Sequence, residues 1–235
     1  MKLGVNIDHI ATLRNARGGD EPNLVECAKI ILKEDVFSLT MHLREDRRHI
    51  KDNDLYDIKK LNPKINLEMA AVEEIQKIAL DIIPYSVCLV PERRLEITTE
   101  GGLDVCSQKE YLKEFIKPLK DKGIIVSLFI DSVKEQIEAA KEVNADYIEL
   151  HTGSFSNAYL DGYYSFELNK LKKGAEFAQS IGLKVNAGHG LNYKNVYLMK
   201  EVQGLQELNI GHSIISRAVF TGIKQAVSEM LALIK

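Results

Sequence analysis

Six histidines, His9, His42, His49, His151, His189 and His212, each stand at or just beyond the end of a short apolar run. Imidazole changes charge near neutrality, so a group of histidines can move protons or hold a phosphate. If the runs are parallel strands of one barrel, their far ends meet on one face, which is where barrel active sites are built. A lone buried histidine is usually a hydrogen-bonded core residue. Recurrence across several strands points instead to a pocket.

The partners that such chemistry needs lie beside these histidines. The first run ends in Asn6, Asp8 and His9 and leads to Arg14 and Arg17 before Gly18-Gly19. Carboxylate, imidazole and guanidinium thus share one connection, and arginine presents a fixed fork of donors to phosphate. The second run delivers His42, Arg44, Glu45, Asp46, Arg47, Arg48 and His49. Alternation along an extended chain turns His42 and Arg44 to the same side, while some of the remaining charges are expected to pair with one another.

Glu68 in NLEMA and Glu149 in YIELH interrupt apolar runs. A buried carboxyl without a cation or donor has a raised pKa, which makes each a candidate acid or base; a structural ion pair inside the barrel is the plainer alternative. AGHG at 187–190 and IGH at 210–212 end the last two runs. Glycines there let backbone N–H groups approach a ligand, and barrels often bind phosphate after strands seven and eight. No HxH or HExxH motif occurs, and Lys184 only begins the seventh run. A close metal-ligand signature is therefore missing, and a lysine Schiff base is disfavoured.

The elements that must position these groups are legible as a rhythm. Strand-like runs occupy 3–8, 36–43, 66–70, 85–91, 124–131, 147–152, 184–188 and 207–215, mostly without clean polar alternation, as for parallel strands covered on both faces. Helical spacing between them aligns Val72, Ile75, Ile78, Ala79 and Ile82, then Tyr111, Leu112, Phe115, Ile116 and Leu119, and finally Ile223, Val227, Met230, Leu231 and Ile234. The order predicts an α/β protein, a single-domain (β/α)8 barrel of parallel strands over residues 1–235, with an open doubly wound sheet as the alternative. Residues 91–104 and 153–165 read as long loops on the active face, where lids and binding loops occur.

Composition narrows the partners. The 235 residues carry a formal net charge of −3, which offers no general attraction to nucleic acid or an anionic membrane. Cys27, Cys88 and Cys106 are widely spaced and fit reduced thiols. The chain enters LGVNID directly after Met1-Lys2, and no apolar stretch approaches the roughly 20 residues of a membrane span. A cytoplasmic protein is expected.

In order, the segments GVNIDHIATLRNARG, HLREDRRHI, NLEMA, CLVPERR, TTEGGLD, VSLFID, IELHTG, KVNAGHGL and ELNIGHSII resemble the pyridoxine 5'-phosphate synthase family and span most of the chain. The resemblance implies a TIM barrel that condenses 3-amino-2-oxopropyl phosphate with 1-deoxy-D-xylulose 5-phosphate, releasing inorganic phosphate and water, in vitamin B6 biosynthesis. It implies no cofactor, no metal and a homo-octamer. By the same resemblance His42, Glu68 and His189 act as acid-base groups and Glu149 stabilises charge. Asn6, Arg17, Gly190, Gly211 and His212 then match an aminoketone-phosphate site, and Asp8, His9, Arg44, His49 and Thr98 a deoxyxylulose-phosphate site, with 91–104 as a closing loop. A phosphosugar isomerase or metal-assisted lyase, and a non-catalytic phosphosugar sensor, are the competing readings.

Overall fold

A computed structural model describes residues 1–92 and 101–235 of the chain. Eight strands, β1 (Lys2–Asn6), β2 (Ser38–His42), β3 (Ile65–Met69), β4 (Ser86–Leu89), β5 (Ile125–Ile130), β6 (Tyr147–His151), β7 (Lys184–Gly188) and β8 (Leu205–Ile210), pair in sequence order and close into a barrel. Every pairing is parallel, including the closing one between β1 and β8. The helices are α1 (Asp8–Arg17), α2 (Leu24–Ile31), α3 (Asp52–Lys59), α4 (Glu73–Ile82), α5 (Lys109–Asp121), α6 (Lys134–Glu142), α7 (Gly153–Leu160), α8 (Ser165–Ser180), α9 (His212–Thr221) and α10 (Ile223–Ile234). The expected α/β barrel is therefore present.

The missing alternation has a simple cause. Outward strand residues such as Leu39, Met41, Leu67 and Val126 are buried under the helices, and burying each such side chain contributes roughly 1.5–3 kcal/mol. The helix faces that meet them include Ile75, Ala79 and Ile82 of α4, Leu112, Phe115, Ile116 and Leu119 of α5, and Val227, Met230, Leu231 and Ile234 of α10. Tyr111 departs from the expected face: it is half exposed, and its hydroxyl donates to the Ala71 carbonyl at 2.6 Å.

Three boundaries differ from the sequence reading. β1 ends at Asn6, so Asp8 and His9 lie in the first turn of α1. β8 ends at Ile210, and residues 212–215 belong to α9, where Ile214 is fully buried. A continuous apolar run cannot by itself separate a strand from a docked helix. Residues 153–160, read as loop, form α7: the small polar residues hid Phe155, which is buried and packs against Tyr159 and Tyr164. Thr98 and most of the expected closing loop lie outside the described residues. Among the described residues, no helix is long and apolar enough to cross a membrane.

Candidate active site

The carboxyl ends of the strands open into a cavity of about 600 Å3, ample for two small phosphorylated molecules. Thirteen of the fourteen residues singled out in the sequence are described. Twelve of them line this cavity: Asn6, Asp8 and His9 from the first strand-helix junction, His42, Arg44 and His49 from the second, Glu68 from β3, Glu149 from β6, His189 and Gly190 beyond β7, and Gly211 and His212 beyond β8. The exception is Arg17, which is exposed in the last turn of α1 and is not part of the lining. His151, at the end of β6, also approaches the cavity through its ring contact with His189.

Register explains the convergence at one wall. His42 pairs with Glu68 across β2 and β3, and Glu68 with Cys88 across β3 and β4. His42 Nδ1 comes within 3.9 Å of Glu68 Oε2. On its other side His42 Nε2 contacts Glu92 Oε1 at 2.9 Å. Glu92 is nearly inaccessible and also accepts from the Glu45 backbone N–H. Although burial raises its carboxyl, the hydrogen bond from His42 and the neighbouring charge hold Glu92 below the ordinary range. As an ionised acceptor Glu92 favours a His42 proton on Nε2, which turns Nδ1 toward Glu68.

Glu68 has the opposite environment. Burial first, and then the nearby Glu149 and Asp8 carboxylates, raise its pKa well above the usual carboxyl value. Glu149 is pushed up to about 7 by burial, against the opposing hydrogen bond from Asn209 Nδ2 at 2.5 Å. Asp8 is also raised by burial, yet it accepts from Asn6 Nδ2 at 2.8 Å and from the His42 backbone N–H at 2.9 Å. Three carboxyls in one low-dielectric wall cannot all ionise without a compensating cation. Asp8, His42 and Glu68 also offer donor atoms within 4.8 Å of one another, the spacing of a possible divalent-ion site. An ion there would have to displace the proton that burial favours on Glu68.

Beside these carboxyls the cavity is rich in imidazole. His9 stacks on His49 at 6.0 Å and meets His212 edge-on at 5.0 Å. Burial, followed by His9, His42 and the nearby arginines, lowers His49 to about 4; burial and His212 lower His9. These rings are therefore largely neutral near pH 7 before an anion arrives, and a phosphate dianion would favour their protonation. Thr12 Oγ1 lies 2.7 Å from His49 Nδ1 and donates to the Asp8 carbonyl at 3.0 Å, which fixes the ring. Gly211 caps α9, and a side chain there would collide with Asn6. The helix N-terminus and its close-packed glycine are suited to an anion. Gly190 has φ +82°, a conformation that glycine adopts at little cost.

Within the dense charge run near His49, Asp46 pairs with Arg44 and Arg48, as expected, while other arginines nearby reach carboxylates outside the run. Arg47 pairs with Asp52 and Glu74, Arg48 with Asp46, and Arg14 bidentately with Asp54. Arg44 is buried against Asp46 yet still faces the cavity. The sequence reading did not single out Glu92, Thr12 or Asn209. Thr12 was available as the residue one helical turn after Asp8, and Asn209 as the residue preceding the IGH motif; Glu92 lay in CLVPERR without a distinguishing pattern.

The family model described as "Pyridoxal phosphate biosynthesis protein PdxJ" matches residues 3–235. The pyridoxine 5'-phosphate synthase of Sulfurihydrogenibium sp. is 55% identical over 238 residues, covering 100% of this chain and 98% of that protein. The protein of the same name from Aquifex aeolicus is 54% identical over 241 residues, with both chains fully covered. Among solved structures, 3-keto-L-gulonate-6-phosphate decarboxylase from Vibrio cholerae O1 biovar El Tor aligns with a TM-score of 0.67 at 11% identity, covering 100% of this chain and 96% of that one. At that identity the structural likeness concerns the barrel alone.

Proposed function

The chain belongs to the pyridoxal phosphate biosynthesis protein PdxJ family, and from that premise we propose that it is a pyridoxine 5'-phosphate synthase acting as one catalytic barrel over residues 1–235. It joins 3-amino-2-oxopropyl phosphate to 1-deoxy-D-xylulose 5-phosphate, expelling inorganic phosphate and two molecules of water. The substrate amine supplies the nitrogen of the new ring, so the reaction needs no lysine imine. The condensation has no net redox change and is expected to proceed without a redox cofactor or added metal.

The observation that carries this reading is the opposed pair His42 and Glu68, 3.9 Å apart. Burial, and then the neighbouring carboxylates, favour the protonated form of Glu68. His42 is turned by Glu92 to present a basic nitrogen. One group is ready to donate and the other to accept, which suits imine formation, dehydration and ring closure. Glu149, held by Asn209, stabilises positive charge that develops on the nitrogen intermediate.

His189 is assigned the donor role near the aminoketone. Burial and His151 lower it to about 4 in the free protein, so that role requires the phosphate dianion to raise its proton affinity. Asn6, Arg17, Gly190, Gly211 and His212 form the proposed aminoketone-phosphate site, and Asp8, His9, Arg44, His49 and Thr98 the deoxyxylulose-phosphate site. Arg17→Ala should weaken aminoketone-phosphate binding about tenfold or more if the charged fork contacts phosphate. Unchanged affinity by titration calorimetry would remove Arg17 from the site.

Purified protein should release phosphate and form pyridoxine 5'-phosphate only with both substrates present, by mass spectrometry and phosphate assay. Failure of turnover with retained ligand binding would favour the sensor reading. Activity lost on chelation and restored by one metal would favour the metal-assisted lyase.

The proposed assembly is a homo-octamer in the cytoplasm. Val219 and Phe220 are 75% and 86% exposed at the end of α9, an apolar surface that a second copy would cover. Light scattering should give eight times the chain mass, with a smaller species for Phe220→Asp. A monomeric wild type would reject the assembly.

A further inference from the structure

Resting on that reading of the reaction, we propose that Asp131 and His151 are positioning residues for His189. Asp131 follows the end of β5, His151 ends β6, and His189 follows β7, so three adjacent strand ends contribute one contiguous group. Asp131 Oδ1 lies 3.0 Å from His151 Nδ1, while its other oxygen accepts from the Gly102 backbone N–H at 3.1 Å. The His151 ring is 5.2 Å from His189 and 5.1 Å from Phe129, and Phe129 lies 6.3 Å from His189 on a third side.

These contacts specify a tautomer. The hydrogen bond from His151, despite partial burial, keeps Asp131 below the usual carboxylate range. An ionised acceptor retains the imidazole proton on Nδ1 and leaves Nε2 with its lone pair. That nitrogen is buried and has no hydrogen-bond partner among the described residues. It lies against the Cα of Gly153, where a Cβ would overlap it and approach the His189 ring. The pocket wall is therefore closed around His151, with Nδ1 toward Asp131 and Nε2 against Gly153.

The backbone beside it is fixed by the same short segment. His189 has φ +78°, uncommon for a residue with a side chain. Thr152 Oγ1 lies 2.7 Å from the Gly188 carbonyl and 2.6 Å from the His189 carbonyl, and the Thr152 N–H donates to Gly188. Thr152 thus holds the His189 main chain while His151 bounds its imidazole. Gly102 connects this unit to the residues before α5, because a Cβ there would overlap the Ile130–Asp131 backbone.

Among the described residues, the charged or titratable groups acting on the unit include Asp131, His151 and His189 themselves and Lys170 of α8, which helps hold Asp131 ionised. Asparagine at 131 retains an oxygen for Gly102 but can donate its amide proton to His151, moving the ring proton from Nδ1 to Nε2. The reversed tautomer would place a donor beside His189 and misalign the proton-transfer group. A related orienting role is served by the carboxylate of a serine-protease triad.

The closing experiment compares wild type, Asp131→Asn and Asp131→Glu by steady-state kinetics and by nitrogen NMR of the histidine rings. Asp131→Asn is expected to lower kcat on the order of 10- to 100-fold, as for a misplaced reacting group, with each KM within about threefold of wild type. The His151 signal should change from the Nδ1–H to the Nε2–H form, the His189 titration should shift, and Asp131→Glu should recover part of kcat. If Asp131→Asn fails to fold, His151→Gln should give the same kcat loss and His189 shift. Wild-type kcat with an unchanged His189 titration would overturn the proposal, as would equal losses of kcat and thermal stability without a tautomer change. Absence of product from wild type would instead reject the assigned reaction, while the ring titrations would still test the Asp131–His151–His189 arrangement.

Discussion

Exchanging Glu68 for Gln is expected to lower kcat by about 10³-fold, within the range for removal of a positioned acid or base, while substrate affinity changes only a few fold. Glutamine keeps the size of the side chain and can still accept from Asn6, whose Nδ2 lies 3.5 Å from Glu68 Oε2. What it cannot do is release and recapture a proton. Burial raises the Glu68 pKa above its unfolded value, so the folded state holds this proton more tightly. Stability contributed by that preference is present at low pH and is lost as pH rises through the folded value. Glu68→Gln should therefore melt closer to wild type at pH 5 and gain relative to it at pH 8. Thermal scans at both values, paired with single-turnover rates, separate a proton-transfer role from a folding role. Wild-type turnover would remove Glu68 from the reaction.

His42→Asn is expected to reduce kcat by roughly 10²- to 10⁴-fold, again by loss of acid-base catalysis. Glu92 would then lose its imidazole partner, and the exchange should raise its carboxyl pKa because the hydrogen bond from His42 is a principal lowering influence. The 3.9 Å separation of His42 and Glu68 makes a further requirement. Residues acting as one proton-transfer unit lose their combined contribution when either is removed, so the double variant should be no more than a few fold slower than the worse single variant. Full multiplication of the two losses in single-turnover kinetics would show that they serve independent steps.

Most of the barrel was legible because its signals are local. Short apolar runs alternating with amphipathic faces, as at Ile75, Ala79 and Ile82, reflect helix periodicity and double-sided strand burial. The errors fall where those signals are ambiguous. Ile214 and Ile215 extend the apparent last strand because the inward face of α9 calls for the same residue types, and α7 reads as loop because small polar residues flank Phe155. Neither error moved a histidine away from the active face.

By itself the sequence determined the inventory: six histidines at strand ends, two carboxyls within apolar runs and the glycine motifs after the last two strands. Parallel strands force those ends onto one face, so the inventory already implied a polar pocket. Only tertiary structure decided the partnerships within it. Glu92 meets His42 across fifty positions of sequence, Asn209 meets Glu149 across sixty, and Asp131 meets His151 across twenty. Such contacts depend on strand register and barrel closure, which bring distant residues within hydrogen-bond reach. The resulting burial and neighbouring charge, rather than residue type alone, raise the proton affinity of Glu68 and orient the imidazole of His42.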